Sequence, residues 1–354
     1  MKNILLFSYL ISLFSCQATT ENNSDKTDFK EAKTVIITPT RTFDAIDTCF
    51  FKDVNIITKY DKIYISDNEA SRVIVADTTG KFIRIIGKKG EGPKEIDWAE
   101  QMFIKNNELH VISGGYQGFK VYEITTGAFL KAFKFSEEKD AMSCRYYNSI
   151  PTDNESNFYY TTKPINDGCI VKADKNGKKI IKFGKLTPYT PDVNQTFNRN
   201  FKTIVQTDRS TLITANTSTA VIEEYDFNGK LVKEYDISQI PEVKYAQDKM
   251  IEDFKKKPEL IKMINGFILG IGYYNGYLYL MYGDRAIDRK SINHILVLDM
   301  NKNAILVQKI RFKTVLDDDD VAHLSLFVDA PNKKIYTQGM GTNNIYQFSI
   351  PEIK

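Results

Sequence analysis

Residues 63–93 read IYISDNEASRVIVADTTGKFIRIIGKKGEGP and end in a glycine-rich run. Such a run serves either a phosphate or a repeat. A phosphate loop of the GxxxxGK[ST] kind needs a helix directly behind it, so that helix N–H groups face the anion. Here Pro93 follows the glycines, neither Ser nor Thr follows a Gly-Lys pair, and the next segment, WAEQMFIK, has the composition of a strand. The stretch is therefore read as one unit of a larger repeat: strand, short loop, strand, polar turn, strand.

The pattern returns along the chain. KIYIS and RVIVAD-TTG-KFIRIIG are followed by ELHVIS and FKVYEI-TTG-AFLKAFKF, by NFYYTT and CIVKAD-KNG-KKIIKFG, and by STLITA and VIEEYD-FNG-KLVKEYDI. YLYLMY with HILVLD-MNKN-AILVQKIRF continues the series, and KKIYTQ with NIYQFSIP ends it one strand short. The turn glycines Gly80, Gly127, Gly177 and Gly229 are 47, 50 and 52 residues apart, and Asn303 takes the place in the next copy. Both residue types tolerate the positive φ that tight hairpins need. Asp77, Asp174, Asp226 and Asp299 open these turns and are expected to bond to backbone two residues on, which makes them turn chemistry and not a catalytic set.

One more strand candidate precedes each copy: TCFFKDVNIIT, WAEQMFIK, SCRYYNSI, FKTIVQT, GFILGIGYY and AHLSLFVDA. Four antiparallel strands per unit at a period near 50 predict an all-β, six-bladed β-propeller over residues 33–354. The N-terminal stretch TVIITPT, residues 34–40, is expected to supply the strand missing from the last blade and so to close the ring without exposed edges.

DNEASRVIVADTTGKFIRIIGKKGEGP resembles an NHL repeat, and the whole repeat region resembles the six-bladed NHL-like or TolB-like propellers found as lipoproteins of Gram-negative bacteria. The other copies match it in strand pattern and turn.

The chain's start, MKNILLFSYLISLFSC, fits this resemblance. Lys2 forms a minimal positive region and Ile4–Phe14 an apolar run too short to span a bilayer, which needs about 20 residues. Residues 1–15 read as an export signal, and Leu13-Phe14-Ser15-Cys16 resembles a lipobox, with Cys16 as the lipidated residue. Gln17 in place of Asp implies the outer membrane, with periplasmic and surface exposure both open. Residues 16–32 are polar and read as a flexible tether. The run FILGIGYYNGYLYLMY, 267–282, is broken by Gly and Asn and reads as two strands around a YNG turn.

Composition removes some functions. Lys plus Arg number 48 against 45 Asp plus Glu, interspersed, with no basic stripe for nucleic acid. Tyr and Phe number 20 and 22, against a single Trp. The three histidines fall on a second strand (His110), the start of a third (His294) and near a first (His323). NHL-like lyases and propeller lactonases place several His or acidic ligands around the central channel, a cluster not visible here, and no GxSxG motif occurs. No cofactor is expected. Cys144 and Cys169 would lie about two strand spacings apart, ~9.6 Å, beyond disulfide reach; with Cys49 they are expected to be free, buried thiols.

In a propeller the connections between blades share one face with the loops joining second to third strands. Those loops are long here, and those of the opposite face are short turns. The long-loop face is the expected binding face, with Asp67, Arg72, Tyr116, Asp284, Arg285, Arg289, Asp317 and Asp318 as candidate residues. Asp317–Asp320 lacks the alternate spacing of a calcium loop and reads as solvated acid. A helical insertion at about 239–265, two short helices around Lys255–Pro258, is expected to pack on the disc through Val243, Met250, Ile251, Phe254, Leu260, Ile261 and Ile264, a lid or partner surface being the other reading. The expectation is a lipid-anchored envelope propeller, not an enzyme, that binds or scaffolds a protein, peptide or glycan. The alternative is a metal-assisted hydrolase or lyase using the central channel.

Overall fold

The computed structural model describes residues 32–44, 46, 54–114, 117–135, 150–162, 168–187, 200–256, 267–283, 294–314, 321–323, 325–339, 342 and 344–353. Two short strands open the described chain, β1 (Lys33–Ile37) and β2 (Arg41–Phe43), and their partners lie in the last two blades. Blade one holds β3 (Asn55–Lys59), β4 (Lys62–Asp67), β5 (Arg72–Asp77) and β6 (Phe82–Ile86). Blade two holds β7 (Ala99–Lys105), β8 (Glu108–Ser113), β9 (Gly118–Glu123) and β10 (Phe129–Lys134). Blade three shows β11 (Phe158–Thr161), β12 (Ile170–Ala173) and β13 (Lys179–Phe183), and most of its expected inner strand, SCRYYNSI, lies outside the described residues. Blade four holds β14 (Lys202–Gln206), β15 (Thr211–Asn216), β16 (Val221–Asp226) and β17 (Leu231–Asp236). After helix α1 (Pro241–Lys256) come β18 (Ile268–Tyr274), β19 (Tyr277–Tyr282), β20 (His294–Asp299) and β21 (Ile305–Phe312) of blade five. Blade six holds β22 (Phe327–Asp329), β23 (Lys334–Gln338) and β24 (Ile345–Ser349).

Burial follows from position in the blade. Middle strands such as β8 and β20 are covered on both sides by neighbouring blades, so they are buried almost throughout, and β20 reads as a continuous apolar run from Ile295 to Leu298. Outer strands are more open, β10 and β17 being largely exposed, whereas β21, covered by β1, alternates between buried and half-buried residues. The core is accordingly split into six clusters, one at each seam between blades. One of them joins β4 and β5 to the N-terminal Phe43 and to Tyr336 and Ile345 of blade six, which closes the ring.

An N-terminal strand closes the last blade, as expected, but the segment that does so is β2 and not residues 34–37. Residues 34–37 do not pair with the last blade. As part of β1 they run parallel to β21, a fifth strand on blade five, with Lys33 opposite Gln308 and Ile37 opposite Phe312. The fourth strand of blade six is β2, three residues paired antiparallel to β24. Phe43 explains the choice. It packs against Gly80, the turn glycine of blade one, as Phe133 packs against Gly177 and Phe183 against Gly229. Phe43 thus fills, across the seam between the chain's two ends, the role that Phe133 and Phe183 fill at theirs.

In the outer strands of blades one to five the ladder skips a single residue, Ile83, Leu130, Ile180, Val232 and Val307 in turn. These are β-bulges at the same repeat position, and they twist and interrupt the edges that would otherwise be open to pairing.

The insertion is one helix as described, with Lys255 and Lys256 inside it, and residues 257–266 lie outside the described set. Val243 and Ala246 bury against the seam between blades four and five, with Met250 beside them, and Glu242 is ion-paired to Lys309 of β21. Ile251 is exposed, contrary to expectation, because it falls off the packed stripe. No described helix is long and apolar enough to cross a membrane.

Candidate ligand-binding face

The two ends of the disc differ. At the short-turn end the hairpins satisfy themselves. Asp77 Oδ1 accepts from the Thr79 and Lys81 N–H groups at 2.8 and 3.0 Å, and Asp174 and Asp226 repeat this at 2.9 Å. Asp299 accepts from Asn301 N–H at 3.0 Å. The Thr79 hydroxyl, followed by these N–H groups, holds the Asp77 carboxyl below its usual range. These acids are turn chemistry, as the sequence suggests.

At the other end, the glycine-rich connection 87–98 is closed by its own side chains. Gly92 N–H donates to Glu95 Oε2 at 3.0 Å, and Lys88 pairs with Glu95 Oε1 at 2.8 Å. That lysine bond lowers the Glu95 pKa. Lys120, buried at the seam, donates to the carbonyls of Gly92 and Pro93 at 3.2 and 3.1 Å, and Tyr122 donates to Lys94 O at 3.1 Å. Where a phosphate would need donors, a carboxylate of the chain already sits.

This tight connection delivers the chain's single tryptophan to the start of an inner strand. Trp98 has φ of 64°, the left-handed region, which costs a non-glycine residue about 1–3 kcal/mol. Two bonds hold it there: its N–H donates to Ser71 Oγ of blade one at 3.0 Å, and its carbonyl accepts from Gly114 N–H of blade two at 3.0 Å. The indole is nevertheless 52% exposed. Gly114 lies beneath it, and a Cβ there would be 3.5 Å from Trp98 Cβ and 2.8 Å from Glu100 Oε1, so Trp98 and Glu100 stand side by side over a bare backbone. The chain on either side of this contact carries buried polar atoms without a protein partner. These are Oδ1 of Asn68, whose carbonyl accepts from Ser71, and both amide atoms of Gln101 in the bulge of β7.

The model of the DUF5128 family, described as a 6-bladed beta-propeller, matches residues 20–272. The chain belongs to this family. No curated protein matches it. Among solved structures, a DUF4221-family member from Bacteroides vulgatus is 10% identical with a TM-score of 0.59, over 88% of this chain and 97% of that one. A protein from Bacteroides fragilis named as exported is 16% identical with a TM-score of 0.47, over 77% and 78% of the two chains. Virginiamycin B lyase from Staphylococcus aureus is 13% identical with a TM-score of 0.48, over 84% and 96%.

In the DUF5128 propeller, Asp67 and Arg72 come together as cross-strand partners of β4 and β5, with Arg72 Nε 3.0 Å from Asp67 Oδ2. Asp67 is buried, and its other oxygen accepts from Ala70 N–H at 3.1 Å, so this acid closes its own hairpin. Cys16, Tyr116, Asp284, Arg285, Arg289, Asp317 and Asp318 lie outside the described residues, as do Cys49 and Cys144. Cys169 is a free, fully buried thiol whose pKa burial pushes up to about 11. His110 is stacked on Phe103 at 4.4 Å, and His323 is buried with Nδ1 2.7 Å from Thr337 Oγ1, in different blades. Among the described residues no three His, Cys, Asp or Glu side chains converge. Sequence reasoning passed over Trp98. The available signal was a lone tryptophan placed directly before an inner strand on the long-loop side.

Proposed function

We propose that the protein is a lipid-anchored propeller of the bacterial envelope that holds a ligand on its long-loop face and performs no reaction on it. Trp98 carries this reading. A large aromatic ring kept exposed in a costly backbone conformation, by bonds from two blades, adds little to the core, which supports a role in contacting a ligand. The signal-like start and the lipobox-like Leu13–Cys16 support export and acylation at Cys16, and Gln17 supports the outer membrane. Metabolic labelling with palmitate should mark the native chain and not Cys16→Ser. Affinity purification from detergent-solubilised envelopes should recover a partner or glycan with the native chain and much less with Trp98→Ala. Equal recovery with both would overturn the assignment of the face.

A further inference from the structure

We infer that the rim around Trp98 is a subsite for a neutral sugar ring, stacked on the indole and hydrogen-bonded by the groups beside it. This deepens the reading of the long-loop face as the binding face and rests on it. A pyranose presents a C–H face and an edge of hydroxyls, each both donor and acceptor. The rim offers the complement of both. The indole is a flat apolar surface 52% exposed. Glu100 stands beside it across Gly114, and its carboxylate accepts from hydroxyl pairs. The Gln101 amide, 1% exposed and with neither its N nor its O bonded to protein, lies one residue further along the same inner strand. Asn68 Oδ1, equally without a protein partner, belongs to the loop that fixes the Trp98 backbone. Amides match hydroxyls because each carries donors and an acceptor.

Two other occupants suit a tryptophan less well here. A cation would be drawn to the indole face, but the charges at this rim have both signs. Arg72 is paired with Asp67, and Lys89 Nζ donates to Glu69 O at 3.4 Å, in the loop that also carries Glu69. A proline-rich peptide needs a lined aromatic groove, and Trp98 is the one exposed large aromatic among the described residues of this rim.

Because the chain has one tryptophan, its emission reports this site alone. The full chain, titrated with chitohexaose, cellohexaose, maltohexaose and xylohexaose, should bind at least one of them, with a blue shift of emission and protection from acrylamide quenching. Trp98→Ala should weaken that binding about tenfold or more by calorimetry, Trp98→Phe should restore part of it, and Glu100→Gln should weaken it several-fold. All three variants should melt near the native temperature, since the indole is outside the core. The inference is overturned if a sugar binds with unchanged emission and equal affinity for Trp98→Ala, if a proline decapeptide or choline binds at Trp98 instead, or if none of the four sugars binds. Partner recovery from envelopes that depends on Trp98 would, in that last case, leave the binding face standing without the sugar.

Discussion

At the scale of the residue, the repeat glycines do two things at once. Gly177 has φ of 84°, and a Cβ on it would sit 2.7 Å from the Phe133 ring and 2.9 Å from Lys134 O of the preceding blade. Gly177→Ala is therefore strained in its backbone and blocked in its packing, and should cost about 1–3 kcal/mol in urea unfolding. At Gly127 the nearest neighbour is the Ile86 side chain at 3.2 Å, so the same substitution there should cost less. The turn half of this was legible in the sequence, since Gly after Asp-x-x marks a hairpin. The packing half was not, because the ring in contact lies a whole blade away. His110 gives a second prediction. Burial, opposed by Glu108, lowers its pKa to about 4. The unfolded chain takes up a proton near pH 6.5 and the folded one does not until about 4. The contribution is thus complete above pH 6.5 and is lost as pH falls from there through 4. His110→Phe, which keeps the stack on Phe103, should flatten the acid side of the stability profile measured by chemical denaturation at several pH values.

Among elements, the contest between β1 and β2 shows what alternation can and cannot say. Residues 34–40 have a strand pattern that suits any open edge, and pattern alone placed them on the last blade. The edge of β21 took residues 33–37, beginning beside the bulge at Val307. The three residues of β2 were too few to stand out, yet they carry Phe43, which buries in the seam between blades six and one. Phe43→Ala should cost about 3–5 kcal/mol in calorimetric or denaturant unfolding. A chain begun at Thr40 should melt close to the full chain, and one begun at Asp44 far below it. The bulge series was likewise invisible beforehand, because an extra residue in a short strand leaves the apolar run intact. Trp98 escaped for a different reason: it reads as the first residue of the strand WAEQMFIK, and only its backbone angle and exposure set it apart.

For the molecule as a whole, six seams share one closure, so stability should be lost together and not blade by blade. Cys169 reports this. It lies wholly buried in the seam between blades three and four, its thiol pushed to a pKa of about 11 by burial. Alkylation at pH 8, followed by peptide mass mapping, should leave Cys169 unlabelled in the native chain. Phe43→Ala, on a different seam, should speed its labelling in proportion to the global stability lost. Rapid labelling in the unaltered chain would show that the seams open independently. The direction of β1 has a further consequence. It runs the same way as β21, so the polypeptide joins the disc toward the plain underside and climbs to the opposite rim. If the chain is held through Cys16, as proposed, that entry on the side of the short hairpins would leave the mouth bearing Trp98 facing away from the attachment, like a dish on a mast.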